Sequence, residues 1–167
     1  MSIATNYIQN IQYQFKETKR LGTAVLKRLT EKELHFKYNT ESSSIATIVA
    51  HISGNMLSRW THFYTEDGEK PWRTRDAEFE ISTATKEEII EIWELGWYCL
   101  FQITDNLSPD KLGLNIHIRS EKQTVLEAIN RQISHYSYHI GQLIYIGKMV
   151  QNNQWKPLSI PKNKSKE

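Results

Sequence analysis

The sequence predicts an all-α fold, a four-helix bundle with a long loop between its second and third helices and a short extended crossover before the fourth. Three observations carry this. Four long runs place apolar side chains at alternating steps of three and four residues, the period of an amphipathic helix. Residues that cap helix N-termini stand at the head of three of those runs. The segment between the second and third runs keeps neither the helical nor the strand period.

The first helix is expected from about Ile3 to Leu29, with Ile8, Ile11, Phe15, Leu21, Val25 and Leu29 facing inward and Gly22 weakening its middle. Thr30 and Glu31-Lys32-Glu33 lead into a connection over Leu34–Glu41. The Ser42-Ser43-Ser44 cluster then opens a second helix over about Ile45–Phe63, with Ile48, Val49, Ile52, Met56 and Trp60 on its core face. Residues 65–80 read as loop, broken by Gly68 and Pro71. Trp72, Phe79 and Ile81 predict that this loop is packed, because disordered segments are poor in such residues. A capping box, Thr85-Lys86-Glu87-Glu88, opens a third helix over about Lys86–Asn106, and Pro109 follows its end. Leu112, Leu114, Ile116 and Ile118 alternate with Gly113, Asn115, His117 and Arg119, which predicts a short strand or extended crossover. A second box, Thr124-Val125-Leu126-Glu127, starts the fourth helix, which runs to about Val150 without proline.

Composition narrows the function classes. At 167 residues the chain is expected to form one domain, residues 1–155, with a basic flexible tail at 156–167. The net charge is +2, but the tail's four lysines and Glu167 contribute +3, leaving the body at −1. With no basic face on the body, a nucleic-acid partner is not expected. Cys99 is the only cysteine, which excludes a disulfide framework and points to a reducing compartment. No apolar stretch approaches the roughly 18 residues of a membrane span, and the N-terminus opens directly into amphipathic sequence. The protein is therefore expected to be cytoplasmic, with no membrane partner.

The candidate site begins on the fourth helix. His135 and His139 are four residues apart, so their imidazoles stand one turn above the other, on the flank of the apolar seam. Such a pair arises by chance fairly often, and a metal site needs a third donor from a facing helix. His51 on the second helix is that donor: it shares the stripe Ser44, Ile48, His51, Asn55, Ser58 beside the core. Two helices thus aim three imidazoles at one point, and three neutral imidazoles leave a bound divalent ion positively charged with open positions.

With these residues in place, the chain resembles the DinB-like (YfiT-like) superfamily of four-helix-bundle metalloproteins. The likeness rests on His51 together with His135-x3-His139-x2-Gln142, and it spans the chain to about Val150. The loop Asp67-Gly68-Glu69-Lys70-Pro71-Trp72-Arg73, the following Arg75-Asp76 and Glu78-Phe79 are similar to those of one subgroup of small bacterial proteins without an established function. The resemblance implies that His51, His135 and His139 bind a divalent metal such as zinc, nickel or iron. It further implies a homodimer acting on a small-molecule substrate, either by transferring a low-molecular-weight thiol or by hydrolysis.

Other residues carry weaker expectations. Asn55 and Gln142 are placed to orient a ligand, although each is more often an ordinary helix amide. Trp72, Arg73 and Arg75 can clamp an anionic substrate, or the two arginines can pair with Asp76, Glu78 or Glu80 to pin the loop. His62 is expected near the bundle end, and His35 and His117 in solvent. Cys99, on an apolar helix face without an adjacent base, is expected to be inert. Tyr136 follows His135 where an H-E-x-x-H site has glutamate, so no base sits beside a ligand. This favours thiol transfer over hydrolysis.

Overall fold

The structure, a computed structural model, describes residues 1–81 and 83–161. In chain order it contains α1 (Ile3–Arg28), a one-turn α2 (Glu31–Leu34), α3 (Ile45–Trp60), α4 (Lys86–Thr104), strands β1 (Asn115–Ile118) and β2 (Glu121–Thr124), and α5 (Val125–Gln151). The chain is mostly helical, as the apolar periodicity predicts. The four long helices share one core, in which Phe15, Trp60, Trp93, Trp97 and Tyr136 are fully buried. Helix α3 packs chiefly on α4 and α1 on α5, and α3 also meets α5.

The capping signatures act as expected. Ser44 Oγ accepts the Thr47 N–H at 3.1 Å, and the Thr85/Glu88 and Thr124/Glu127 boxes are both reciprocally formed. Each such cap is worth about 1 kcal/mol. Thr30 and Glu33 form another box that opens α2, inside a stretch read as a lead-in to a connection. One turn is too short for a helical period to show. The second helix stops at Trp60, three residues before the expected Phe63, and His62 follows with φ of 49°. Gly22, read as a weak point, is a packing position. A Cβ there would sit 2.6 Å from Trp93 Cζ2 and 3.0 Å from Ile140 Cδ1.

Further features differ from the sequence reading. Helix α3 is buried almost all round, Ser53, Asn55, Ser58 and Arg59 included, because residues 65–80 and the strands cover the side away from the core. The loop is held there by polar contacts. Ser58 Oγ donates to the Gly68 carbonyl at 2.6 Å, the Lys70 N–H donates to Ser58 Oγ at 3.3 Å, and a short 3-10 helix spans Arg75–Phe79. Of the three apolar side chains expected to pack it, Ile81 is half-buried against the core and the Phe79 ring centre lies 5.7 Å from that of His51, whereas Trp72 is 55 % exposed.

The crossover is a two-stranded antiparallel hairpin in which Asn115 faces Thr124 and Ile118 faces Glu121. Its turn, Arg119-Ser120, has φ of 57° and 63°, a left-handed pair usually supplied by Asn-Gly. The Asp67 carboxylate accepts the N–H groups of Arg119 at 2.8 Å and Ser120 at 2.7 Å, and so holds the strained turn. At the other end, Trp155 packs over Gly147 and Leu158 is half-buried against the core. The chain therefore stays attached to the helices beyond residue 155. Residues 162–167 of the expected tail lie outside the described residues. Among the described residues no helix is long and apolar enough to cross a membrane.

Candidate metal centre

His51 projects from the middle of α3, and His135 and His139 from successive turns of α5. Their nearest ring nitrogens all lie within 4.8 Å of one another. The Nε2 atoms of His135 and His139 are 3.2 Å apart. Imidazole nitrogens bound about 2.0–2.1 Å from one tetrahedral ion stand about 3.3 Å from each other, so this pair has the spacing of co-ligands. Two of the three Nδ1 atoms are engaged in the right sense. His51 Nδ1 lies 3.0 Å from Glu78 Oε2, and His139 Nδ1 lies 2.7 Å from Gln142 Oε1. An imidazole whose Nδ1–H donates to a carboxylate or amide oxygen presents a lone pair on Nε2. The three residues present could thus hold a divalent ion.

Electrostatics agrees with this. Burial, reinforced by the charges of His139 and His51, pushes His135 down to about 3. Burial likewise pushes His139 down to about 4, although its bond to Gln142 opposes this. Both rings are neutral at physiological pH, the state in which imidazole binds metal.

Glu78 was not singled out from sequence as part of the site. It arrives from the 3-10 helix after Arg73 and lies against α3 over Gly54, where a Cβ would fall 2.8 Å from its Cδ. Arg73 donates to both its oxygens, at 2.7 Å and 3.0 Å. Burial raises the Glu78 pKa, but the bonds from His51 and Arg73 outweigh it and hold the carboxyl below its usual range. Glu78 is therefore a committed anion that orients His51, and both its oxygens are occupied. The available sequence signal was Gly54, one turn beyond His51. An interior helix glycine often marks a close approach.

Of the expected clamp, Arg73 pairs with Glu78, in line with the loop-pinning alternative. Arg75 stacks its guanidinium 5.2 Å from the Phe79 ring centre. Both arginines line a pocket of about 390 Å³ beside His51 and His135, and Arg59, Arg119, Arg131 and Gln132 line it too. Trp72 does not line it. Arg59 was not anticipated as part of the site. It is buried at the end of α3, where it donates to the Gly68 carbonyl and to Glu69 Oε2. Asn55 also lines the pocket, but its Oδ1 is taken by the Tyr136 hydroxyl at 3.1 Å. A second cleft, of about 840 Å³, is lined by Gln142 and Tyr138 and continues past Tyr145, Met149 and Phe36; none of the three histidines lines it.

The remaining candidates lie elsewhere. His62 and His117 are exposed. His35, expected in solvent, is half-buried, with Nε2 2.7 Å from the Ala84 carbonyl oxygen. Burial pushes the Cys99 thiol up, away from reactivity. A family model described as "Protein of unknown function (DUF1572)" matches residues 2–164. No curated protein matches the chain.

Proposed function

Since the chain belongs to this DinB/YfiT-like family of unknown function, we propose that it is a four-helix-bundle metalloprotein. In this reading His51, His135 and His139 hold a divalent ion, and the protein transfers a low-molecular-weight thiol to a small electrophile. The observation that carries the metal reading is the trio itself: three convergent imidazoles, two of them with Nδ1 turned to Glu78 and Gln142. A bound divalent ion supplies Lewis acidity that lowers the pKa of a thiol toward neutrality.

The chain's own residues favour thiol transfer over hydrolysis on two counts. Hydrolysis needs a base to take the proton of water, and both oxygens of Glu78, the carboxylate at the trio, are committed to Arg73 and His51. Two cavities meet at Tyr138, one lined by His51 and His135 and the other by Gln142. That arrangement suits a reaction of two substrates, one from each side.

Metal analysis of protein prepared without a histidine tag tests the centre. About one divalent ion per chain is expected, and His51→Ala, His135→Ala and His139→Ala should each abolish tight binding. Less than a trace of metal after reconstitution sinks the enzyme reading and leaves a binding or scaffold protein. Turnover of an electrophile that proceeds without added thiol sinks the transferase reading in favour of hydrolysis.

A further inference from the structure

The 390 Å³ pocket beside the histidines is walled by cations. Five guanidinium groups line it, from Arg59, Arg73, Arg75, Arg119 and Arg131. Two carboxylates offset them: Glu78 takes Arg73, and Glu69 takes Arg59 and Arg119. Arg75 and Arg131 make no ion pair among the described residues. Like charges crowded in this way repel one another unless an anion or solvent screens them, so the wall keeps a standing positive potential.

Two buried atoms sharpen the reading. Arg59 is 4 % exposed and its Nε–H has no acceptor, while Gln132 is 3 % exposed and its Oε1 has no donor. Both side chains line this pocket. A buried donor or acceptor left unpaired destabilises the fold, and such a cost persists where a ligand supplies the missing partner. The missing partners here are an acceptor at Arg59 and a donor at Gln132.

We infer that this pocket binds the oxyanion head of a small organic acid, a carboxylate or phosphate bearing a neighbouring hydroxyl or N–H donor. The arginines hold the anion in their planar forks, Gln132 accepts from the neighbouring donor, and the rest of the molecule lies toward His51 and His135, which line the same pocket. The role of this molecule as the electrophilic substrate rests on the metal-dependent reading above, whereas its binding does not.

The test uses the full chain, metal-free, titrated calorimetrically with three probes: inorganic phosphate, lactate and lactamide. Lactate or phosphate is expected to bind with Kd below about 10 mM, and lactamide, the uncharged counterpart of lactate, at least tenfold more weakly. Whichever anion binds tighter identifies the head group. Arg75→Gln and Arg131→Gln, both at exposed positions outside the ion pairs, are each expected to weaken binding at least fivefold without altering metal affinity. Gln132→Leu is expected to weaken lactate more than phosphate, because lactate carries the fixed hydroxyl. No binding of either anion, equal binding of lactamide, or indifference to both arginine substitutions overturns the assignment. Anion binding in a chain that takes up no metal overturns the function proposed above and leaves this site standing; metal uptake without anion binding does the reverse.

Discussion

Replacing Gly54 by alanine sets two effects of opposite sign against each other. Gly54 is interior to α3, where alanine is favoured over glycine by about 1 kcal/mol. Propensity alone therefore predicts a more stable protein. The structure predicts the reverse. The new Cβ falls 2.8 Å from Glu78 Cδ, with Oε1 nearer still. The carboxylate cannot retreat without stretching its bonds to Arg73, at 2.7 Å and 3.0 Å, and to His51, at 3.0 Å. The Arg73, Glu78 and His51 side chains are only 3 %, 10 % and 12 % exposed, so water does not replace what is lost. Removing one partner of a buried pair costs about 3–5 kcal/mol. Glu78 is displaced here and not deleted, so the lower end, about 3 kcal/mol, is the appropriate figure. After the helix gain, the net loss is about 2 kcal/mol, or a Tm lower by roughly 4–8 °C for a chain of this length. Urea denaturation of metal-free protein should show a lower midpoint at unchanged m. Metal affinity, measured by chelator competition, should fall about 10–100-fold because His51 loses its orienting carboxylate. A Gly54→Ala protein as stable as its parent, with metal bound as tightly, would refute the packing of Glu78 against α3.

Three further outcomes follow from the same structure. Gly22→Ala should destabilise by about 1–3 kcal/mol in urea, since its Cβ overpacks the Trp93 ring; a gain in stability contradicts that contact. Tyr136→Phe should cost about 1–3 kcal/mol while sparing metal affinity, because it strands Trp60 Nε1–H and Asn55 Oδ1, both 3.1 Å from the hydroxyl. The metal-free protein should lose stability as pH falls from about 6.5. His135 and His139 titrate near 3 and 4 in the folded chain, so below the ordinary imidazole value the unfolded chain binds more protons and is favoured. The lowered Glu78 acts in the same direction further down the scale. A Tm that is flat between pH 7 and 4.5, or a slope unchanged in His135→Leu, would contradict this.

What was legible in the sequence divides along physical lines. The four long helices were readable because a buried stripe imposes a 3.6-residue period, and their N-termini because capping is local chemistry. The histidine trio was readable for the same reason: two rings share a helix face, and the third occupies the matching flank of another helix. Glu78 was hidden, since its contact with His51 joins positions 27 residues apart through a loop with no period. Arg59 was hidden among buried neighbours at a helix end, where its burial depends on a carbonyl brought over by Gly68. Strand β2, Glu121-Lys122-Gln123-Thr124, has no apolar alternation to betray it, and its turn lacks the asparagine or glycine that marks a hairpin.

That turn has a kinetic consequence. One carboxylate, Asp67, accepts the amides of Glu69, Arg119 and Ser120 together. The loop and the hairpin therefore open as one cooperative unit, and their amides should exchange with solvent at a common rate. Since Arg119 lines the arginine pocket, each such opening also withdraws one cation from its wall.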